Sequence, residues 1–218
     1  MKDFKERWLN LWQRIDVFGK PDVPFSDLIS RYKEKSRKYH NLKHILDCLL
    51  ELEEICNWDH AFYKQFMDVE AVEIGIWYHD AVYNTKAKDN EEKSAELWQL
   101  VGEVFGIQDK FITKVSGLIL ATKHESNLQL NFDAQVLCDI DLSILGKPPN
   151  IFNRYEEQIR KEYELVTEEK FVAGRKAILE SFLNRSSIYQ TEFFKRKYEY
   201  QAQENLKRSI KKLSRLHP

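Results

Sequence analysis

One short stretch of the sequence constrains the fold more than any other, because an apolar run ends there in two adjacent polar side chains. The run covers residues 69–77, and His79 and Asp80 stand at its polar end. Its length and period indicate a buried helix at about 68–82 that ends with this pair. Burying an imidazole and a carboxylate without partners would cost several kcal/mol in rough terms. A metal ion satisfies both groups at once, since neutral imidazole and carboxylate are ligands that Zn, Mn, Fe and Co accept.

A second histidine pair lies upstream, at the start of a strongly periodic segment. Apolar residues recur there at intervals of three and four, which predicts a helix from about His40 to Cys56 with one face in the core. His40 and His44 are four residues apart. A helix would therefore place them on one face, with their Cβ atoms roughly 5–6 Å apart. Both could bind one metal ion, or one could bind the ion and the other the substrate.

These motifs, taken in order, resemble a known signature. His44, the His79–Asp80 pair and a later aspartate are similar to the H…HD…D signature of the HD superfamily of metal-dependent phosphohydrolases. The string YHNxxH at residues 39–44 also resembles the signature of cyclic-nucleotide phosphodiesterases, which share the HD core. The wider spacing, from YHNxxHI through WYHDAVY to NEEKSA, resembles a family of predicted HD phosphohydrolases with no settled substrate. The resemblance covers about residues 30–145 and implies a helical bundle around a metal site.

The resemblance implies a role for each residue of this set. His44, His79, Asp80 and Asp141 would bind a divalent metal ion, which could be Mn, Mg, Zn, Fe, Co or Ni. Two histidines and two carboxylates leave coordination positions open for water and substrate. Asp80 would also orient the attacking hydroxide or bridge to a second metal. His40 would be the general acid that protonates the leaving oxygen.

Two acidic residues compete for the last ligand position. Asp139 and Asp141 lie two apart in the apolar segment 132–145. On a helix they would point roughly 200° apart, so both cannot easily face one ion. Asp141-Leu142-Ser143 resembles the aspartate-leucine-serine that supplies the last ligand in the phosphodiesterases, and we therefore favour Asp141. Asp139 is then expected to make a buried hydrogen bond or salt bridge, for instance with a neighbouring helix.

Glu91 and His124 each have a structural and a functional interpretation. Glu91 falls in the first turn of a helix predicted at about 91–105, where the helix dipole favours negative charge. The resemblance instead places an acidic residue of this helix near the metal, which would make Glu91 catalytic. His124 follows a helix predicted at about 108–122, where the dipole favours a cation. Many HD proteins place a histidine there facing the metal cleft, so His124 is a candidate for binding the substrate.

Two residues beside His40 are further candidates for binding the substrate. Arg37 precedes His40 by three residues, and its guanidinium matches the geometry of a phosphate group. A solvated arginine is the alternative. Asn41 belongs to the YHNxxH string that resembles the phosphodiesterases, and we include it in the substrate-binding set.

Composition favours an all-α chain. The 218 residues include only 7 glycines and 5 prolines, which leaves little material for the turns of an all-β fold. Hydrophobic residues make up 43%, enough for a real core. The length fits one domain. We expect a single HD-type domain over residues 1–218, with a helical bundle at about 30–145 and additional C-terminal helices at about 149–218 packed on it.

Helices are also predicted outside the motifs. An aromatic stripe over residues 4–18 indicates a first amphipathic helix whose aromatic face packs in the core. Ser26 or Asp27 would cap a short second helix, and His60 is assigned to a loop. Near the C-terminus, Thr167 begins one helix, and a long basic helix covers residues 190–216 with a solvated Lys/Arg face.

Charge and cysteine usage exclude several classes of protein. The net charge of −1 gives no global field that would attract nucleic acid. No apolar run approaches the roughly 18 residues of a membrane helix, and the N-terminal residues show no signal h-region. Cys48, Cys56 and Cys138 form no zinc-type pair, and Cys48 and Cys138 are interpreted as buried free thiols. We expect a cytoplasmic protein, and the oligomeric state stays open, a homodimer included.

The sequence predicts a metal-dependent phosphohydrolase that acts on a phosphate ester of a nucleotide or of another small phosphorylated molecule. Two alternatives stay open. One is an HD module that binds a metal and a nucleotide without turnover, and the other is a di-iron oxygenase of HD type, for which His124 could be an additional ligand. The presence of His40 discriminates between an enzyme and the first alternative, since a module that only binds a nucleotide has no need of a general acid.

Overall fold

The computed structural model describes residues 2–15, 17, 19–125 and 129–216, and this part of the chain is helical throughout, without a strand. The predicted all-α class is therefore confirmed. The chain divides into two compact units, residues 1–138 and 139–218. The expectation that both belong to one domain stays a prediction.

The first unit is built from α-helices joined by short connections. In chain order they are α1 (Lys2–Arg14), α2 (Asp22–Tyr32), α3 (Leu42–Trp58), α4 (His60–Phe66), α5 (Val69–Tyr78), α6 (Asn90–Val104), α7 (Asp109–Ala121) and α8 (Phe132–Asp141), the last of which ends in the second unit. The predicted cap of α2 was wrong, because the helix begins at Asp22 after Pro21 and not near Ser26 or Asp27. The loop assigned to His60 was also wrong, since this residue begins α4.

Helix α5 is the centre of the first unit. All of its residues from Ala71 to Tyr78 are buried, and it packs against α1, α3, α6 and α7. A helix that is apolar on most of its surface must be enclosed by its neighbours, and its buried Glu73 pairs with Arg7 and Arg14 of α1. Gly75 lets Leu137 pack closely against the helix, because a Cβ atom there would lie 2.9 Å from Cδ2 of Leu137. The predicted buried helix is confirmed, although it ends at Tyr78, before the His79–Asp80 pair.

The aromatic stripe of α1 packs in the core, as predicted. Trp8 is fully buried, and its ring meets that of Trp77 edge-on at a centroid distance of 5.4 Å. Its Nε1–H donates to the carbonyl of Pro21 at 2.9 Å. The helix ends at Arg14, so it is shorter than the predicted 4–18, and Phe18 lies outside the described residues. This aromatic contact fixes α1 against the helix that leads to the His–Asp pair.

The second unit contains the end of α8, a 3-10 helix and three long helices. They are the 3-10 helix Leu142–Gly146, α9 (Pro149–Glu162), α10 (Glu168–Leu183) and α11 (Glu192–Leu216). Helix α11 packs against the 3-10 helix and α10, and Nδ2 of its buried Asn205 donates to the carbonyls of Leu145 and Lys147, both at 2.8 Å. The predicted start of a helix at Thr167 is confirmed, since Thr167 is the N-cap of α10.

The sequence also raised the state of the cysteines and the question of a membrane-spanning helix. Cys48 and Cys138 are buried and Cys56 is half-buried, and none of the three forms a disulfide bond. Among the described residues, no helix is both long enough and apolar enough to cross a membrane.

Candidate metal centre

The end of α5 orients the first candidate ligand, His79. This residue caps the helix, with its backbone N–H donating to the carbonyl of Gly75 at 2.8 Å. Its Nδ1 lies 2.9 Å from the carbonyl oxygen of Ile76, which can only accept, so we assign the proton to Nδ1. Nε2 of His79 therefore carries a lone pair. A second hydrogen bond of this kind is the usual means by which proteins orient a metal-binding imidazole.

His44 and Asp80 converge on that nitrogen. His44 projects from the buried face of α3, and its Nε2 lies 3.1 Å from Nε2 of His79. One carboxylate oxygen of Asp80, Oδ2, lies 3.4 Å from Nε2 of His44 and 3.1 Å from Nε2 of His79. Both imidazoles are almost fully buried, whereas Asp80 is half-buried. The three ligand atoms thus form one compact group that could hold a metal ion.

The spacing of these atoms fits a coordinated ion. Metal–nitrogen bonds of roughly 2.0–2.1 Å at right or tetrahedral angles place two ligand nitrogens roughly 2.8–3.4 Å apart. The 3.1 Å between the Nε2 atoms of His44 and His79 lies within that range. Because the lone pair of His79 points at the second nitrogen, a proton or a cation must be shared between the two rings. The donor set of two imidazoles and a carboxylate suits a transition-metal ion.

The charge state of Asp80 also suits a cation. Burial raises the pKa of this carboxyl, but His79, His40 and His44 outweigh that effect when the histidines are protonated and cationic, as a bound metal ion would be in their place. The pKa of Asp80 therefore lies well below its usual range. The carboxylate is ionised in the folded protein, and this is the form that binds a metal.

His40 lies beside the group but not on the helix. Helix α3 begins at Leu42, because Asn41 is its N-cap and accepts a hydrogen bond from the backbone N–H of Lys43 at 2.8 Å. The predicted shared helical face for His40 and His44 was therefore wrong. The ring of His40 stacks on that of Tyr83 at a centroid distance of 4.1 Å and lies 5.9 Å from the ring of His44.

The two other residues of this turn make contacts within the protein. Asn41 uses its side chain as the cap of α3 and also donates from Nδ2 to the carbonyl of Lys38 at 2.9 Å. Arg37 is buried, and its guanidinium donates to the carbonyls of Asp80 at 2.6 Å and Ala81 at 3.0 Å. Substrate binding by Arg37 and Asn41 stays a prediction.

Helix α6 supplies the next candidate, Glu91. It lies half-buried in the first turn of α6, and burial raises its pKa, to which the negative charge of Asp80 adds. Its neighbour Glu92 instead pairs with Lys123. The electrostatic effect of Asp80 fits the functional interpretation of Glu91, while its place in the first turn also fits the structural one.

His124 has an unusual backbone conformation. It follows α7, and its φ of +56° is the one positive value among the described residues other than glycine. Such a conformation costs free energy and often occurs at functional sites. The next residues, 126–128, lie outside the described part of the chain. Substrate binding by His124 stays a prediction.

Asp139 and Asp141 have different surroundings within the second unit. Asp139 is fully buried and accepts hydrogen bonds from the backbone N–H groups of Gln190 at 2.8 Å and Thr191 at 2.7 Å, and from Oγ1 of Thr191 at 2.8 Å. Burial raises its pKa to about 6 against the opposing effect of these donors. The buried hydrogen bond expected for Asp139 is thus confirmed. Asp141 is the half-buried last residue of α8, and its role as a ligand stays a prediction.

Sequence reasoning did not assign two neighbours of the site. Tyr83 stacks on His40, and Sγ of the buried Cys48 lies 3.7 Å from Nδ1 of His44. Cys48 could have been found, because it follows His44 by four residues on the same helix. Nothing in the sequence distinguishes Tyr83 from the chain's other tyrosines except its closeness to the His79–Asp80 pair.

Comparison with models of known protein families, with curated proteins and with solved structures found no match to this chain. The fold and the site together define a class in coarse terms. The chain is an all-α protein with a buried group of two histidines and one aspartate that could hold a metal ion.

Proposed function

We propose that the protein is a metal-dependent phosphohydrolase of the HD type, acting on a phosphate ester of a small molecule. One observation carries the proposal: His44 and His79, thirty-five residues apart in the chain, meet Asp80 in one compact group of ligand atoms. Two imidazoles from distant parts of the chain, with a carboxylate oxygen close to both, form a donor set that a shared cation would stabilise. A divalent ion bound there would polarise a phosphoryl oxygen and activate a water molecule for attack.

Each candidate ligand has its own proposed role in binding the ion. His44 and His79 bind through Nε2, and the carbonyl of Ile76 keeps the lone pair of His79 directed at the site. Asp80 contributes negative charge. Asp141 is the proposed fourth ligand, and the Asp-Leu-Ser string supports it. Mixed nitrogen and oxygen donors favour Mn, Fe, Co, Ni or Zn over Mg.

Two residues are placed to move protons. His40 is the proposed general acid. Its ring centroid lies 5.9 Å from that of the candidate ligand His44, and its ring stacks on that of Tyr83. Glu91 is a second candidate, since a half-buried carboxyl with a raised pKa exchanges protons closer to neutral pH. General acid–base catalysis of this kind contributes roughly 10²–10⁴-fold to a rate.

The loop between Tyr83 and α6 supports a phosphorylated substrate. Asn84 and Asn90 close this loop, with the backbone N–H of Asn84 donating to Oδ1 of Asn90 at 2.9 Å and Nδ2 of Asn90 donating to the carbonyl of Asn84 at 3.1 Å. Lys86 and Lys88 are exposed on it and offer cations to a phosphate. We propose a nucleotide or a similar small phosphate as substrate. A cytoplasmic location is proposed as well, and it is supported by three cysteines that form no disulfide bond.

The experiment combines metal analysis with a substrate panel. The purified protein is analysed for bound metals, then reloaded with Mn, Co, Ni, Zn or Mg and assayed against phosphomonoesters and cyclic and linear phosphodiesters. His79→Gln and Asp80→Asn should lose both the metal and the activity, whereas His60→Gln should keep both. Activity that survives in a metal-free variant would reject the proposal. Metal binding without turnover of any substrate would favour a binding module, and metal-dependent oxygen consumption would favour a di-iron oxygenase.

A further inference from the structure

We propose that Arg37 is a positioning residue. It holds the candidate ligand Asp80 and the candidate acid His40 in fixed positions relative to each other. The inference rests on the proposed metal site but not on phosphate hydrolysis. It gives Arg37 a task other than binding a phosphate. The argument depends on what the guanidinium contacts, how deeply it is buried and why another cation could not replace it.

The first contacts fix the turn that carries Asp80. Nη1 of Arg37 donates to the carbonyl of Asp80 at 2.6 Å, and Nη2 donates to the carbonyl of Ala81 at 3.0 Å. These two residues follow α5 directly after His79. Because one guanidinium donates hydrogen bonds to two successive carbonyls, it fixes the direction of the backbone between them. The direction of the Asp80 side chain depends on this backbone, so Arg37 acts on the carboxylate without touching it.

The second set of contacts reaches His40. The guanidinium carbon lies 5.3 Å from the ring centroid of Tyr32 and 5.7 Å from that of Tyr83, within the range of cation–π contacts. Tyr83 in turn stacks on the ring of His40 at a centroid distance of 4.1 Å. Nη1 of Arg37 also lies 3.4 Å from the carbonyl of His40. One side chain therefore supports both the main chain and the ring of His40.

The hydrogen bonds that the guanidinium of Arg37 already donates argue against its binding a phosphate. Nε donates to a carboxylate oxygen of Glu34 at 3.1 Å, so bonds to protein acceptors involve all three nitrogens of the guanidinium. The residue is only 5% exposed. A phosphate would have to displace these acceptors to be bound in a bidentate way. A planar fork with five donors can make this set of contacts, whereas a lysine offers a single ammonium group.

The test measures metal binding in the absence of any substrate. Arg37→Lys keeps the charge and loses the fork. Arg7→Lys is the matched control, since Arg7 also joins several elements, through Glu73, Glu53 and the carbonyl of Leu49, but away from the ligand group. Affinity for Co²⁺ is measured by competition with a chelator, together with the visible spectrum of the Co²⁺ form. Changes in such supporting contacts typically cost roughly 10–100-fold in metal affinity.

We expect Arg37→Lys to lose affinity in that range and to change the Co²⁺ spectrum, while Arg7→Lys keeps the affinity and spectrum of the wild type. Affinity within threefold of the wild type, with an unchanged spectrum, would overturn the positioning role. Failure of the wild type to bind any ion would overturn the metal site itself, and this inference with it. The two failures are therefore distinguishable.

A second variant keeps the test decisive if Arg37→Lys does not fold. Tyr83→Leu removes the ring between Arg37 and His40 but leaves the carbonyl contacts of Arg37 in place. The imidazole NMR signals of His40 should shift in this variant, while the affinity for Co²⁺ stays within threefold of the wild type. Unchanged His40 signals would overturn the connection through Tyr83.

Discussion

The carbonyl oxygen of Ile76 lies 2.9 Å from Nδ1 of His79, so the last turn of the central helix orients the imidazole that follows it. The turn is enclosed on all sides, because Ile76 and Trp77 are fully buried. The lone pair on Nε2 of His79 thereby has a fixed direction before any ligand arrives. Pre-orientation of this kind lowers the entropic cost of binding an ion.

Replacement of His44 should weaken metal binding without unfolding the chain. His44→Gln removes one of the two nitrogens at 3.1 Å but keeps a polar side chain of similar length. Because loss of a supporting contact costs roughly 10–100-fold in affinity, loss of a direct ligand should cost more than roughly 100-fold. A competition titration with a chromogenic chelator measures the change, with His60→Gln as the control. An affinity equal to that of the control would show that His44 is not a ligand.

Replacement of His40 should separate metal binding from catalysis. His40→Asn leaves the group of His44, His79 and Asp80 intact, so metal content should match that of the wild type. If His40 protonates the leaving oxygen, turnover of alkyl phosphate esters should fall by roughly 10²–10⁴-fold. Esters with a nitrophenol leaving group need little protonation and should lose much less. An equal loss for both kinds of ester would argue against a general acid.

The main features of the site could be predicted because they are encoded locally. The run before His79 is apolar except for Glu70 and Glu73, and its apolar side chains outnumber these two, so a buried helix was the favoured interpretation. An imidazole and a carboxylate at its end then require partners. His44 was predictable through the resemblance to the YHNxxH string, and its burial follows from the apolar face of α3.

Other features could not be predicted, for physical reasons that differ from one residue to the next. The acceptors of Arg37 are main-chain carbonyls, which every residue possesses, so no sequence pattern marks them. His40 was assigned to α3 because the apolar period begins at once after it, although Asn41 carried the signal of an N-cap. Helix α4 was missed because it has only 7 residues, too few for an apolar period to be recognised in the sequence.

Two glycine substitutions should change stability in opposite directions. A Cβ atom on Gly102 in α6 would lie 2.6 Å from Cγ1 of Ile112, whose carbonyl accepts a hydrogen bond from Trp98 at 3.1 Å. Gly102→Ala should therefore destabilise the fold by about 1–3 kcal/mol through overpacking. Gly117 in α7 is exposed and has no atom within 4 Å of the same position. Gly117→Ala should stabilise by about 0.5–1 kcal/mol.

Urea unfolding followed by circular dichroism measures both changes, provided that the slope with denaturant is unchanged. Because the two variants make the same chemical change in a helix, the difference between them isolates the contact with Ile112. Equal effects of the two substitutions would mean that α6 and α7 can separate enough to accept the extra methyl group.

The carboxylate of Glu199 in α11 should make stability depend on pH below neutrality. It accepts hydrogen bonds from the backbone N–H groups of Ile188 at 3.0 Å and Tyr189 at 3.1 Å, and from Oγ of Ser187 at 2.9 Å. Partial burial raises the pKa of Glu199, but these donors and Gln203 outweigh it, so the pKa is lowered. A lowered pKa contributes stability above the unfolded value of roughly 4.3, and this contribution is lost as the pH falls through the folded value.

Glu199→Gln should consequently lower the free energy of unfolding by about 1 kcal/mol at pH 7, a modest value because the group is partly open to solvent. The deficit should shrink as the pH falls below about 4, since the wild-type carboxylate is protonated first in the unfolded chain and then, at lower pH, in the folded protein. Glu204→Gln is the control on the same helix, where the glutamate forms an exposed pair with Lys207 at 3.1 Å. Urea unfolding of both variants between pH 3 and 7 tests the prediction, and a deficit for Glu199→Gln that stays constant over that range would contradict it.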